Sequence, residues 1–249
     1  MNRYIATAAA IGCATLLAGC AGADMNSLSQ AGGSLFSAAT LTDANVKQLS
    51  DQSCADMDKK NTVAAADSTY AKRLVNIMNG LQNTGLPLDA KVYMTKDINA
   101  WAMANGCVRV YSGLMDLMTD DEVRGVLGHE IGHVALGHTK KAMQVAYAAA
   151  AARGALGSTG YATLTALSTS QIGELGETFV NAQFSQRQES EADDYSYNLL
   201  TKNGANRQAL VTAFQKLAKL DGGQSGLLSS HPGSDARAKH IQDRINSGK

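Results

Sequence analysis

Large rings and proline are scarce in this chain. Of its 249 residues, 5% are aromatic, two are proline and one is tryptophan, whereas glycine occurs 24 times. A core with few rings has to be filled by small side chains, which allow helices to approach one another closely. We therefore expect tightly packed helices rather than a core built around aromatic residues.

Net charge is absent as well, since 22 Lys and Arg residues balance 22 Asp and Glu residues. A chain without net positive charge lacks the long-range field that attracts nucleic acid, so we expect no nucleic-acid partner. The C-terminal part also lacks the regular period of helical-pair repeats. No repeat domain for partner binding is therefore expected.

Hydrophobic runs are too short to cross a bilayer as helices. The run near the N-terminus, Ile5–Leu17, has 13 apolar or small residues, follows Arg3 and leads into Ala18 and Gly19. A positive residue, a short apolar segment and small residues at the cleavage site are typical of a signal peptide. Residues 1–19 are therefore predicted to be a signal peptide.

Cys20 directly follows Leu-Ala-Gly, a pattern typical of the lipobox of bacterial lipoproteins. It predicts cleavage before Cys20 and lipidation of the Cys20 thiol, so that a lipid anchor holds the chain at a membrane. Ala21, in place of Asp, indicates the outer membrane of a Gram-negative bacterium, with the protein facing the periplasm. A plain secretory signal is the alternative, but it leaves Cys20 without a role. The Ser-, Gly- and Ala-rich residues 20–41 are then a flexible tether.

Residues 42–249 predict one mainly helical α+β domain with a small sheet. Two short segments alternate as strands do, Lys91–Met94 and Cys107–Tyr111. The second strand consists of Cys107, Val108, Arg109, Val110 and Tyr111. We expect it to be an edge strand with which an extended peptide substrate can pair. An edge strand without that role is the alternative.

Two segments of small residues follow the central part of the chain. Ala142–Ala152 carries no charge and is too short to span a membrane, which favours a packed core helix. Gly154–Gly176 is dense in Gly, Ser, Thr and Ala. This composition predicts either a mobile flap beside a cleft or a surface excursion.

Cys54 and Cys107 remain once Cys20 is assigned to lipidation. A signal peptide predicts an oxidising compartment, where an even pair of cysteines usually forms a disulfide. Thiolate ligands for a metal are the alternative, but the CxxC spacing of such sites is missing. We predict a disulfide that stabilises the fold by roughly 4 kcal/mol.

The central stretch of the chain carries an HExxH motif, His129-Glu130-Ile131-Gly132-His133, on a predicted helix. Thr119 and Glu122 form a capping box that starts this helix. His129 and His133 are four residues apart and project from one face, as two ligands of one metal ion must. Glu130 lies about 100° further round the helix, where it can act on water without binding the metal. The alternative is a pair of surface histidines on a polar face.

A second helix is predicted to supply a carboxylate to the same site. It begins near Arg187 and carries Glu189 and Asp193 on one face. A carboxylate ligand would complete two histidines and leave a fourth position open, as in catalytic zinc sites. Glu191 competes with Glu189 for this role, while Asp193 can accept the second ring N–H of a ligand histidine. An acidic, solvated helix start is the alternative.

His138 completes HExxHxxxxH, but it is not the third histidine of the metzincin pattern. That histidine comes ten residues after the first, whereas His138 comes nine after His129. On a continuous helix His138 would also lie far round the axis from His133. We expect a surface histidine or one that supports a ligand.

HEIGHVALGH, the later ESEAD, and His231-Pro232 followed by Arg237 resemble the HtpX/BepA-type gluzincin metallopeptidases. The resemblance covers essentially the whole chain after the tether. It implies a zincin-like fold with a small sheet beside the HExxH helix, one zinc ion per chain, and Glu189 as the third ligand. Many relatives have Pro-Gly-Gly where this chain has Ala104-Asn105-Gly106, so the rim of the substrate cleft is expected to differ.

The sequence thus predicts a zinc metalloendopeptidase that hydrolyses unfolded or misassembled envelope proteins. Glu130 is the predicted general base, and His231 and Arg237 are candidates to stabilise the oxyanion. Polypeptides are the predicted substrates, and outer-membrane assembly machinery or related peptidases are candidate partners. His231 has two further readings, an inhibitory zinc ligand or a helix cap.

Two functions from other classes remain as alternatives. An outer-membrane assembly factor or chaperone would use the cleft for binding alone, with a structural metal. An intact Glu130 argues against it, because a structural site needs no base. A tethered scaffold would need no metal at all.

Overall fold

The computed structural model describes residues 41–152, 167–220 and 226–248. The predicted signal peptide, Cys20 and nearly all of the tether lie outside these ranges, as do residues 154–166 of the predicted flap. The later part of that segment is helical from Thr169 onward. Ser168 and Gln171 form the capping box that starts this helix. Both readings of the segment, a flap beside the cleft and a surface excursion, stay predictions.

Ten helices and three strands make up the described ranges. The helices are α1 Asp43–Lys60, α2 Thr69–Asn79, α3 Ser112–Leu117, α4 Asp120–Ala135, α5 His138–Ala152, α6 Thr169–Val180, α7 Gln186–Lys202, α8 Gln208–Ala218, α9 Gly226–Ser230 and α10 Ser234–Ser247. The strands are β1 Asp89–Tyr93, β2 Ala100–Ala102 and β3 Cys107–Tyr111. This composition confirms the predicted α+β class. None of the described helices is long and apolar enough to cross a membrane.

Local capping fixes where the two site helices begin. Thr119 caps α4, and its N–H donates to Glu122 Oε2 at 2.8 Å. Ser185 caps α7 in the same way, with Gln188 returning the bond. Each box satisfies N–H groups that the first helical turn leaves without partners. The positions of the motif residues along α4 and α7 are therefore set by nearby sequence.

The sheet has the order β1-β3-β2, and this order corrects the prediction for Cys107–Tyr111. That segment, β3, pairs in parallel with β1 and antiparallel with β2, so it is the central strand and not an edge strand. Residues 100–102, which lie between the two predicted strands, form β2. In the described ranges β2 pairs with β3 alone, so its other side is the free edge.

The HExxH helix α4 lies at the centre of the domain, with α7 packed closely against it. Close packing depends on glycine at the contact: a Cβ on Gly128 would lie 2.6 Å from Ser196 Oγ, and one on Gly132 3.0 Å from the Ala192 carbonyl oxygen. The first distance is shorter than real Cβ contacts, and the second is tight enough that the neighbour would have to move by a few tenths of an ångström. The small residues of α4 thus let the two helices that carry the predicted ligands approach each other.

Cys54 in α1 and Cys107 in β3 form the predicted disulfide, with a Cα–Cα distance of 6.5 Å. Both cysteines are buried. Since α1 and the sheet are separated in sequence, the bond ties the first helix of the domain to its central strand.

Beside the disulfide, Arg109 is 1% exposed and makes an ion-paired contact with Asp58. Its Nε and Nη2 donate to the two oxygens of Asp58 at 2.7 and 2.8 Å, and Nη2 also contacts Cys54 Sγ at 3.1 Å. Burial alone would raise the pKa of Asp58, but hydrogen bonds from Arg109, Lys91 and Tyr93 outweigh burial and lower it to about 2. Asp58 is therefore the counter-ion that keeps a buried guanidinium satisfied.

Replacing Asp58 with Asn should lower the free energy of unfolding by about 2 kcal/mol or more at pH 7, because Arg109 then loses its main partner. The stability that Asp58 contributes is complete above its unfolded pKa near 3.8 and is lost as the pH falls toward 2. The gap between wild type and variant in chemical denaturation should accordingly shrink over that interval. Asp243→Asn is the control, because its exposed pair with Lys239 should contribute less than about 1 kcal/mol. Equal stability of wild type and Asp58→Asn at pH 7 would contradict this role.

Candidate active site

The predicted ligands converge on one buried point between α4 and α7. His129 and His133 come from α4 and Glu189 from α7, and each is at most 2% exposed. His133 Nε2 lies 3.0 Å from His129 Nε2 and 3.4 Å from Glu189 Oε1, while His129 Nε2 lies 3.6 Å from Glu189 Oε2. With His231, these residues place four ligand atoms within 4.8 Å of one another.

The donor set fits a zinc ion. Ring nitrogens that face each other at about 3 Å cannot all be satisfied by one another, since each neutral imidazole has one acceptor nitrogen. Glu189 Oε2 is buried and accepts no hydrogen bond. Arg237 Nη1 lies 2.8 Å from it and forms an ion pair, but its N–H does not point at the oxygen. A cation among these atoms would satisfy them, and imidazole with carboxylate is the ligand chemistry that zinc takes in catalytic sites.

Burial sets protonation states that suit metal binding. It lowers the pKa of His133 to about 4 and that of His129 well below its ordinary value, so both rings are neutral near pH 7. Burial would raise the pKa of Glu189, but hydrogen bonds with His133 and His231 outweigh it and lower that pKa. Two neutral imidazoles and one carboxylate are therefore presented together.

Glu130 lies beside the ligand atoms and is not one of them. It is 2% exposed, its Oε1 has no hydrogen-bond partner, and His231 Nε2 lies 3.5 Å away. Burial raises the pKa of Glu130 to about 7. A carboxylate with a pKa near neutrality can both take and release a proton, which is what a general base in hydrolysis must do.

Asp193 and Arg237 contact the ligand residues and support their positions. Asp193 Oδ1 lies 2.7 Å from His129 Nδ1, which matches the predicted support of the ring N–H. Arg237 donates from Nε and Nη2 to the two Asp193 oxygens at 2.9 and 2.7 Å, and its guanidinium lies over the Phe214 ring at 4.1 Å. These contacts direct the donors of Arg237 to carboxylates of the ligand shell. Its predicted part in oxyanion stabilisation stays a prediction.

Glu191, the competitor for the third ligand position, points elsewhere. Its Oε1 accepts from Arg187 Nε at 2.8 Å and its Oε2 lies 3.2 Å from His138 Nε2. Glu189, four residues after the capping residue Ser185, is the carboxylate that faces the two histidines. The geometry thus favours Glu189 as the residue able to hold a metal ion.

His231 follows α9 directly and turns into the ligand cluster. Its Nδ1 lies 3.0 Å from Glu189 Oε1 and 3.2 Å from His129 Nε2, and the residue is 4% exposed. Burial would lower the pKa of His231, but Glu130 and Glu189 outweigh it and raise that pKa. Of its predicted readings, a position in the ligand shell agrees best with these distances.

Sequence reasoning missed the ring that covers the site. Phe184 stacks on the His133 ring with centroids 3.9 Å apart, and its N–H donates to the Ser230 carbonyl oxygen. One signal was available: Phe184 directly precedes Ser185, the capping residue of the helix that carries Glu189.

The cleft between β2 and these rings is narrow. It is lined by Ala100, Trp101, Ala102, Glu130, Phe179, Val180, Ala182, Phe184, Ser230 and His231, and the volume open to the centre of a water molecule is about 10 Å³. A volume of this size accommodates one water molecule and no peptide. A substrate can therefore enter only after the end of α6, the Phe184 segment or the His231 segment moves.

A mostly helical domain with a small sheet, two histidines of one helix and a glutamate of another define a gluzincin-type metallopeptidase. Residues 66–245 match Peptidase family M48, and the chain belongs to that family. Zinc is the metal of this family, so the chain is a zinc metalloprotease that acts on polypeptides.

Curated relatives agree with this membership. The chain is 57% identical to Metalloprotease LoiP of Escherichia coli over 240 residues, which is 95% of each chain. It is 52% identical to Metalloprotease YcaL of the same organism over 242 residues, again 95% of each. It is 31% identical to the Beta-barrel assembly-enhancing protease of Yersinia pestis over 195 residues, 73% of this chain and 39% of that protein. The predicted family resemblance is confirmed.

Proposed function

We propose that this protein is a zinc endopeptidase, tethered by lipidated Cys20 at the periplasmic side of the outer membrane, that hydrolyses unfolded or misassembled envelope proteins. The observation that carries the proposal is Glu130, a buried carboxylate without a hydrogen-bond partner beside the ligand atoms of His129, His133 and Glu189. A site that only stabilised the fold would have no use for an unpaired base at this position.

The catalytic cycle follows from these positions. Zinc, when bound, supplies a Lewis acid that polarises the scissile carbonyl and acidifies water. Glu130 takes the proton of the attacking water and delivers it to the leaving nitrogen, for which its pKa near 7 is suited. Asp193 holds the His129 ring in one orientation, and Arg237 offsets the negative charge of Asp193 and Glu189.

The free side of β2 is the proposed place where substrate pairs. The Tyr111 N–H donates to the Asn99 carbonyl oxygen, and the Met103 N–H donates to the Cys107 carbonyl oxygen. Because alternate residues of a strand bond to the same neighbour, the N–H and C=O groups of Trp101 also point toward β3. The alternate residues Ala100 and Ala102 therefore turn their carbonyl groups to the cleft that Glu130 lines. An extended peptide added there would pass directly over the base.

Envelope location rests on sequence and on the names of relatives. Residues 1–19 have the pattern of a signal peptide and Cys20 that of a lipidated cysteine. One relative carries β-barrel assembly in its name, which favours outer-membrane proteins as substrates and assembly machinery as a partner. The same name also favours the second candidate, an assembly factor or chaperone that binds such proteins in the cleft without cutting them.

We expect the purified protein to cleave an unfolded outer-membrane β-barrel protein, and to stop when a zinc chelator is added. Restoring zinc should restore cleavage, because the metal supplies the Lewis acid. Product peptides would be measured by mass spectrometry, with the folded form of the same substrate as control. Binding of the unfolded chain without any new termini, at full zinc occupancy, would contradict the protease and favour the assembly factor.

A further inference from the structure

The two ligand histidines differ in what supports their outer ring nitrogens. His129 Nδ1 meets the buried carboxylate of Asp193 directly. His133 Nδ1 instead lies 3.0 Å from His138 Nδ1, and His138 Nε2 lies 3.2 Å from Glu191 Oε2. We propose that His138 and Glu191 are positioning residues that orient His133 for the metal. The proposal deepens the proposed function, because it rests on the same metal site.

Only one assignment of the ring hydrogens allows both hydrogen bonds of the series His133–His138–Glu191 to form. His133 Nε2 faces His129 and Glu189, so a neutral His133 that binds metal there carries its hydrogen on Nδ1. His138 Nδ1 then accepts that hydrogen, which leaves the hydrogen of His138 on Nε2. A carboxylate can only accept, and Glu191 Oε2 is the group that Nε2 meets.

The interruption of the helix between α4 and α5 brings His138 next to His133. Gly137 has φ +76°, a left-handed conformation that ends α4 and that residues with a Cβ adopt at a cost. The new helix α5 starts at His138 and returns its ring to His133, with centroids 5.1 Å apart. On an uninterrupted helix the two rings would diverge, so the close contact depends on this break.

Helix α7 carries Glu191, the residue at the outer end of this hydrogen-bonded series, and holds it in place. Arg187 lies one turn before Glu191 and donates to its Oε1 at 2.8 Å, which leaves Oε2 for His138. Arg187 is 86% exposed and Glu191 40%, whereas His138 is 9% exposed as a side chain. The series thus runs from solvent to a buried ligand, and α7 supports both ligand histidines, through Asp193 and through Glu191.

The expected effect is on zinc affinity, measured without substrate by competition with a chelating dye on the full-length protein. His138→Leu removes both links and should weaken zinc binding about 10- to 100-fold, as loss of a support for a ligand usually does. His138→Asn keeps an acceptor oxygen near Nδ1 and should restore most of the affinity. Glu191→Leu should weaken binding less than His138→Leu, and Glu191→Gln less again.

His240→Leu is the matched control, because His240 meets Asp194 of the same helix at 2.8 Å and is itself partly exposed. Its zinc affinity should stay within twofold of wild type, and the melting temperatures of the metal-free variants should match. Wild-type affinity in His138→Leu would overturn the proposal, as would equal losses in His138→Leu and His138→Asn. A protein that bound zinc as expected but cleaved no envelope protein would contradict the proposed function and not this role.

Discussion

Glu130→Gln should abolish proteolysis while zinc stays bound. The carboxylate of Glu130 is outside the ligand cluster, so its loss removes the base and not a ligand. Loss of a general base lowers kcat by at least about 100-fold. Rates on an unfolded protein and zinc content of the same preparation would be measured together. Glu177→Gln, at an exposed glutamate of α6, should keep the wild-type rate.

Substitution of the ligands should give the opposite pattern. His129→Ala, His133→Ala and Glu189→Ala should lose zinc as well as activity, because each removes one of the donor atoms. Glu191 contacts no donor atom directly, so Glu191→Ala should still bind a full equivalent of zinc when zinc is in excess. Loss of zinc from Glu191→Ala but not from Glu189→Ala would show that the third ligand has been assigned wrongly.

The sequence was sufficient where local rules decide. The capping boxes at Thr119 and Ser185 start α4 and α7 at the predicted places, and spacing along each helix then fixes which residues share a face. His129, His133 and Glu189 meet because both helices are placed by nearby residues and because glycines allow close contact. The choice of Glu189 over Glu191 came from family resemblance, and the contacts of Glu191 with Arg187 and His138 agree with it.

The rest depended on tertiary contacts that periodicity does not reveal. β2 has three residues, two of them alanine, and only its pairing with β3 makes it a strand. Because of that pairing the free edge of the sheet is Ala100–Ala102, whereas the prediction placed it at Cys107–Tyr111. His138 could not be placed from spacing, because the break at Gly137 changes its direction. Arg237 is remote in sequence, and its bonds to Asp193 follow from how α10 packs on α7.

The last expected result concerns the narrow cleft and has the opposite sign to the first. His231 is among the four residues whose ligand atoms lie within 4.8 Å of one another. Its Nδ1 lies 3.0 Å from Glu189 Oε1, and its Nε2 lies 3.5 Å from Glu130 Oε1. A zinc ion held by His129, His133, Glu189 and His231 would have the four ligands that zinc usually takes, and would leave none of these positions for water or a peptide carbonyl. A resting protease held in this state would not cut folded neighbours until the His231 segment moves.

Replacing His231 with Ala should therefore raise the basal rate on an unfolded protein. If the closed form outnumbers the open form by about ten to one, freeing the fourth position raises the rate by up to about tenfold. Lys239→Ala, at an exposed residue of α10, is the control and should leave the rate near wild type. A fall in kcat at unchanged zinc content would instead make His231 a donor to the oxyanion, and an unchanged rate would contradict both roles. The sign of the change decides, because a ligand that blocks the site and a donor that serves it occupy the same place and act in opposite directions.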